Sequence, residues 1–525
     1  MNRLISYKNL WVVIMTLATC NLAVADIQLS TSPIWQAGYG NYPAGVSWGD
    51  IDGDGWLDCV IANGTDAAFI SNHVYFNDGG TVSTTPGWVS DDQVPSDNIA
   101  LGDLDNDGDL DLVVSNLGYS PGGLPPLPQV IYYNNGGLST SPDWSSRPAN
   151  SFSCAVGDPD GDGDLDIAFA QGDYFTSHLQ KTVIYFNNGG TFDTVPGWET
   201  DSLYYGVEVV FVDIDLDGDH DLALGARTFG IAIFYNDNGV LETTPSWQTY
   251  EIIGGRQMAF GDYDGDDYPD LAVAGMAEDF FLFKNMGGTL EMTPSWQTAS
   301  YSEPSCVAWA DADNDGDLDL AAGGWFCPVG VFENVNGVLS DTFVWSYSAG
   351  NFLLQIAWCD FDEDSVIEDL EIFIGDGNRR LFYLNQKPIH HLAAIELNNT
   401  PLSLDQYCFD PVEAWISLAS PPAIGDSLAV HYTYSVDLDL TLTTSSRAMI
   451  FENEYVTGIE EGIKTPVKDY YAGPTIINGP LLLPPDKDSR IFDISGRTVA
   501  PKKTGPGIYF IQIDGKISKK IIKVK

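Results

Sequence analysis

One device recurs along this 525-residue chain, and its spacing restricts the fold more than any other feature. A nine-residue aspartate hairpin appears as DIDGDGWLD (50–58), DLDNDGDLD (103–111), DPDGDGDLD (158–166), DIDLDGDHD (213–221), DYDGDDYPD (262–270) and DADNDGDLD (311–319). A seventh, damaged copy is DFDEDSVIED (360–369). Successive first aspartates lie 53, 55, 55, 49, 49 and 49 residues apart. A period near 50 residues marks a propeller or a solenoid.

Each repeat reads as four short strands. In residues 296–345, CVAWAD enters the hairpin and LDLAAGG leaves it; VGVFENVNG is a third strand ending in a turn, and VLSDTFVW closes the unit. Alternation is present and helical periodicity is not. Asn-Gly or Gly-Gly turns recur at matching places: FNDGG (76–80), YNNGG (133–137), FNNGG (186–190), YNDNG (235–239), KNMGG (284–288) and ENVNG (333–337). Four strands repeated seven times predict an all-β chain, with a seven-bladed β-propeller over residues 26–387. Trp88, Trp144, Trp198, Trp247, Trp296 and Trp345 each stand 14 or 15 residues before the next hairpin, as Trp35 does before Asp50. The seventh repeat ends in LFYLNQKPIHHL without that tryptophan. Residues 27–36 are therefore expected to supply its outer strand and close the ring, because an open edge strand invites mispairing.

Four carboxylates within nine residues repel one another unless a cation lies among them, and oxygen-only ligands suit Ca²⁺ above Mg²⁺. The hairpins resemble the calcium loops of FG-GAP (VCBS-type) repeats, seen in integrin-alpha propellers, and the resemblance covers residues 27–387. It implies side-chain ligands at positions 1, 3, 5 and 9 and a backbone carbonyl at position 7. In the first loop these are Asp50, Asp52, Asp54 and Asp58, with the carbonyl of Trp56. The second loop offers Asp103, Asp105, Asp107 and Asp111 with Asp109, and the third Asp158, Asp160, Asp162 and Asp166 with Asp164. The fourth offers Asp213, Asp215, Asp217 and Asp221 with Asp219; the fifth has Asp262, Asp264, Asp266 and Asp270 with Tyr268. The sixth has Asp311, Asp313, Asp315 and Asp319 with Asp317. Asp267 replaces the usual glycine at position 6 of the fifth loop, a left-handed position that Asp tolerates. In the seventh, Asp360, Asp362, Asp364 and Asp369 are the corresponding residues, but Ser365 and one extra residue interrupt the pattern. The expected role is structural. At ~0.1 mM affinity and ~1 mM Ca²⁺ each site adds roughly 1.4 kcal/mol, and six sites roughly 8 kcal/mol.

The remaining chain reads as separate modules. A basic start, the apolar run LWVVIMTLATCNLAVA and the A-x-A step Ala23-Val24-Ala25 describe a signal peptide over residues 1–25; a membrane anchor and a lipoprotein box at LATC are the rival readings. Residues 388–455 alternate as a small β-sandwich. Residues 456–525 hold 12 Lys and Arg against 7 Asp and Glu, a net of +5 in a chain of net −51. Their RIFDISGRTV, GPGIYFIQIDG and KKIIKVK segments resemble the C-terminal sorting domain of type IX secretion cargo. That resemblance implies export machinery as a partner and a secreted or outer-surface location on a Gram-negative bacterium. Of six cysteines past the leader, Cys306 and Cys327 are a candidate disulfide and the others read as buried thiols.

The charge argues against nucleic acid as a partner. GYSPG (118–122) is followed by GLPPLP, which cannot open the helix a nucleophile elbow needs. No H-E-x-x-H or phosphate loop occurs. His220 stands at a variable loop position, and His390 and His391 read as linker. The expected function is binding or adhesion toward an extracellular glycan or protein, with a polysaccharide lyase or hydrolase and a surface-layer component as alternatives. Repeats 1–3 carry longer connections between their second and third strands, on the face opposite the aspartate hairpins. Phe69, Tyr119, Tyr174 and Phe175 on these loops are the candidate ligand contacts.

Overall fold

The computed structural model describes residues 27–37, 42–64, 68–118, 125–175, 177–227, 230–249, 255–275, 279–298, 301, 303–350 and 352–453, with four strands beyond them. The expected signal peptide and Tyr119 lie outside the described residues.

Among the described residues, seven antiparallel four-stranded sheets form a propeller-like arrangement. Their innermost strands are Pro43–Gly49, Ser96–Gly102, Ser151–Gly157, Gly206–Val212, Gly255–Gly261, Pro304–Ala310 and Leu353–Cys359. Each packs on the next, and the seventh packs on the first. In the first six sheets the strands follow chain order from the centre outward. Their second strands, such as Asp58–Asn63 and Asp319–Gly324, are buried at every residue. They lie between neighbouring sheets, so both faces meet apolar surface, and they read as apolar runs that follow the last hairpin aspartate.

The seventh sheet overturns the expected domain boundaries. Its order is Trp35–Ala37, Ala448–Phe451, Asp439–Thr444 and Leu353–Cys359. Thus 439–451, expected in a β-sandwich over 388–455, belongs to the ring, and 360–438 is inserted between the first two strands of one sheet. The insert is a two-sheet β-domain. One sheet holds Val366–Ile374, Ser427–Ser435, Ile389–Leu397 and Thr400–Pro401; the other holds Leu381–Tyr383, Trp415–Leu418 and Tyr407–Asp410. Its own core includes Ile389, Ile416, Leu428 and Val430. The physical reason for the misreading is that alternation identifies strands but not their partners.

Two rings of side chains lock neighbouring sheets. Trp35, Trp88, Trp144, Trp198, Trp247, Trp296 and Trp345 each meet an aromatic ring of the following sheet edge-on, from Trp35 on Tyr75 (5.4 Å, 83°) to Trp345 on Phe451 (5.3 Å, 72°). Such pairs add about 0.5–1.5 kcal/mol each beyond their burial. The second ring consists of the turn asparagines. Asn134 Nδ2 donates to Ile51 O (2.8 Å), Asn187 to Leu104 O (2.8 Å) and Asn334 to Tyr263 O (2.8 Å), each reaching the preceding sheet. Asn77, Asn236, Asn285 and Asn453 do the same.

The insert covers the aspartate-hairpin face. Trp415 meets His220 at 4.4 Å between ring centroids, and Ser417 Oγ donates to Asp158 Oδ2 at 2.6 Å. Lys387 Nζ donates to the carbonyl of Phe260 at 2.8 Å. A Cβ on Gly163 would come within 2.7 Å of Ala419, so this left-handed residue (φ 92°) also allows the close approach. All six described cysteines are free, so Cys306 and Cys327 are not joined. Beyond the ring, Thr475–Ile477, Lys516–Lys523, Gly507–Ile513 and Ser489–Asp493 form one four-stranded sheet in that order.

Candidate metal centres and channel mouth

Each aspartate hairpin is wound by its own backbone amides. In the first, Asp54 N and Gly55 N donate to Asp50 at 3.1 and 2.9 Å, and Trp56 N donates to Asp54 Oδ1 at 2.9 Å. At the far end Asp58 accepts from Ile51 N (3.0 Å) and from the turn amide Asn77 N (2.8 Å). The turns that aim these amides need positive φ at position 4 and, in the six complete loops, at position 6. Gly53, Asn106, Gly161, Leu216, Gly265, Asn314 and Glu363 supply the former, and Asp267 adopts φ 75° at the latter. Position 7 has a separate use where it is aspartate. Asp109 Oδ2 accepts from Gly136 N (2.8 Å) and Asp164 Oδ2 from Gly189 N (2.8 Å), tying the hairpin to the glycine turn.

Carboxylate oxygens of Asp50, Asp52 and Asp58 lie within 4.8 Å of one another, as do those of the matching trios in the next four loops. Burial drives the position-9 carboxyls upward: Asp58 and Asp270 to about 7, Asp111 and Asp319 to about 8, and Asp221 to about 9. Neighbouring loop carboxylates push the same way, against the two amide hydrogen bonds. One oxygen of the position-3 aspartate is buried and unpartnered in four loops, at Asp105, Asp215, Asp264 and Asp313. A hard cation among these oxygens would satisfy the orphaned atoms and offset the repulsion, so the donor set fits Ca²⁺.

The seventh hairpin is corrected at its last residue. Asp369 lies on Val366–Ile374, where Tyr432 pairs with it and Leu370 N donates to its Oδ1 at 2.7 Å. Asp439 takes the ninth position instead, accepting from Phe361 N (3.2 Å) and Asn453 N (2.9 Å). The hairpin is split: DFDED (360–364) begins it and DLD (437–439) ends it. Asp360 is buried, with one unpartnered oxygen. The DLDL run at 437–440, matching 109–112 and 317–320, was the available signal.

His220 is a packing residue. It is fully buried, its Nδ1 accepts from Asp158 N at 3.2 Å, and burial holds its pKa down at about 3.

Among the described residues, inner-strand side chains line two cavities. One, of about 440 Å³, lies beneath the insert among inner-strand residues such as Trp48, Phe211 and Trp309. The other, of about 350 Å³, is the mouth on the opposite face. Asn98, Glu208, Gln257 and Gln355, from the third position of four inner strands, line both. They sit at β-bulges, and Gln257 and Gln355 bind the amides of Val307 and Val46 in the next sheet.

Of the candidate ligand residues, Tyr174 and Phe175 line the mouth, 45% and 50% exposed. Phe69 is exposed but does not line it. The mouth also holds groups that the sequence reading missed. Arg227 places its guanidinium 3.9 Å from the centre of the Tyr174 ring, and Arg256 lies 4.2 Å from that of Trp325. Tyr205 packs edge-on against Tyr174. Glu208 faces the same space; burial, then Asp97, pushes its carboxyl up to about 8, against a Ser153 hydrogen bond and the Arg256 charge. A polar third residue ahead of the apolar run of four inner strands (SDNIALG, GVEVVFV, GRQMAFG, LLQIAWC) was the signal for this floor.

Residues 50–114 and 262–322 match the FG-GAP-like repeat family. No curated protein gives a significant match. Among solved structures the chain is similar to BBS1N in complex with ARL6DN, soaked with lead (14% identity, TM-score 0.44, covering 66% of this chain and 92% of that one). A mercury-soaked form of that complex gives 12% identity and a TM-score of 0.44, covering 82% and 98%. The WD40 β-propeller domain of Doa1 gives 10% identity and a TM-score of 0.40, covering 63% and 90%.

Proposed function

We propose that this chain is an exported, calcium-stabilised, seven-bladed propeller that binds a ligand at the channel mouth opposite its aspartate hairpins. The observation that carries the reading is the convergence of Tyr174, Phe175, Trp325, Arg227 and Arg256 on one cavity. Aromatic faces, a few fixed polar groups and a rigid surround are what a small binding site requires. The hairpins serve the scaffold, with Asp439 completing a seventh calcium loop. Chelation lowers the melting temperature by more than ~10 °C if the six or seven ions contribute as mass action predicts.

The test of binding is a combined Tyr174→Ala, Phe175→Ala and Trp325→Ala variant on glycan and peptide arrays. Binding falls while chelator-sensitive melting stays the same; unchanged binding places the site elsewhere. Export is tested by deleting 456–525, which leaves the propeller folded but in the periplasm; normal surface delivery refutes the sorting role. One observation favours a second reading as a hydrolase: Glu208 and Asp97 bring carboxyls outside the hairpins to the same cavity. Glycan cleavage that is lost in Glu208→Gln would establish it.

A further inference from the structure

We infer that the mouth recognises a carboxylate-bearing sugar, a single uronate residue held by the Arg227 guanidinium and the aromatic surface beside it. The inference rests on the mouth being a binding site and names what that site takes.

The carboxylate is assigned by Arg227. Its guanidinium stacks over Tyr174 at 3.9 Å and lies 5.0 Å from the centre of the Phe175 ring. Among the described residues it makes no side-chain hydrogen bond and no ion pair; stacking occupies its face and leaves its in-plane N–H donors for a planar anion. Burial is the main influence against its charge; Tyr174 and Glu303 favour the charge and Arg256 opposes it. A bound carboxylate would offset the cost of burial.

The hydroxyls are assigned by the floor. Glu208, Asp97, Asn98, Gln257 and Gln355 are acceptors or amides facing the same space. Toward these polar groups a sugar acid presents several O–H groups besides its one carboxylate. The half-exposed rings of Tyr174 and Phe175 offer faces for a pyranose.

The number of charges follows from the whole chain. At net −51 the protein repels a polyanion at long range. Recognition through one arginine-lined mouth therefore suits a ligand with one carboxylate, such as a terminal uronate on an otherwise neutral glycan.

The test is calorimetric titration of the full chain in calcium with glucuronic acid, its methyl ester, glucose and an acidic tripeptide. The expected result is binding of glucuronate, with ester and glucose at least tenfold weaker. Arg227→Gln weakens glucuronate at least tenfold without moving the ester, and Arg227→Lys recovers part of the loss. Equal binding of acid and ester, or glucuronate binding that survives Arg227→Gln, overturns the uronate assignment. Preference for the tripeptide, lost on Tyr174→Ala, overturns the sugar class and leaves the mouth as the site. Glucuronate binding that survives Tyr174→Ala with Phe175→Ala overturns the mouth itself.

Discussion

Asn77 in the first sheet donates its side-chain amide to the carbonyl of Phe361 in the seventh at 2.6 Å, across 284 residues of sequence. The same amide donates to Leu57 O, and the asparagine's backbone N–H donates to Asp58. One buried side chain thus joins the glycine turn, its own aspartate hairpin and the neighbouring sheet. Asn134 repeats the arrangement with Ile51, Leu110 and Asp111.

Removing such a brace leaves a buried carbonyl without its donor, which costs about 1–3 kcal/mol. Asn77→Ala should therefore lower the melting temperature in calcium and in chelator alike, because the amide does not depend on the ion. Asn188→Ala, in the turn of the third repeat and exposed, should change little. Thermal melts of both variants in both buffers check this; an Asn77→Ala melt equal to the parent's removes the brace from the account.

The seventh hairpin gives a sharper contrast. Asp439→Ala should lower calcium-dependent stability about as much as Asp319→Ala, since both carboxylates accept the position-2 and turn amides. Asp369→Ala should leave the calcium response unchanged. Calcium stoichiometry and the calcium-minus-chelator difference in melting temperature measure both; the opposite ranking would restore the uninterrupted reading at 360–369.

The buried hairpin carboxyls set a pH dependence whose sign is fixed. Burial raises Asp58, Asp111, Asp221, Asp270 and Asp319 to between about 7 and about 9 in the folded, ion-free chain. In the unfolded chain they titrate near 3.9. Between those limits the folded state binds more protons, so ion-free stability falls as pH rises from about 4 and the loss is complete above about 9. Calcium competes with these protons. In chelator the melting temperature should be higher at pH 6 than at pH 8.5, and the stabilisation by calcium should be larger at pH 8.5. A chelated melt that rises with pH across this window contradicts the assignment.

Much of this was legible because each repeat carries its own signals. The aspartate register, the Asn-Gly turns and the tryptophans are local, and six copies fix the period. The insertion was not legible as such: an apolar alternation looks the same whether a strand completes a sheet or leaves it. Asp439 and Asn453 stand far from Asp360 in sequence, although DLDL at 437–440 marked the return. The channel mouth was half legible. Tyr174 and Phe175 sit on a long loop, but Arg227, Arg256, Glu208 and Trp325 come from three consecutive sheets and share no motif; only the packing of those sheets brings them together.

The two halves of the seventh hairpin lead to the most demanding prediction. Positions 1–5 are Asp360, Phe361, Asp362, Glu363 and Asp364; positions 7–9 are Asp437, Leu438 and Asp439. Replacing residues 365–436 by one glycine would write DFDEDGDLD, with glycine at the left-handed sixth position that Gly108 and Gly316 occupy (φ 98° and 97°). Glu363 already holds φ 53° at the fourth. The shortened chain should fold and bind as many calcium ions as the parent. It should melt at a lower temperature, because it loses the contact of Trp415 on His220 and the Ser417 hydrogen bond to buried Asp158. It should keep ligand binding at the opposite mouth, which the insert does not line. Adding Asp439→Ala should then remove one calcium ion. A shortened chain that stays folded but binds one ion fewer than the parent would mean that 360–364 and 437–439 are not halves of one loop. A chain that fails to fold would mean that the insert does more for the ring than cover one end of its channel.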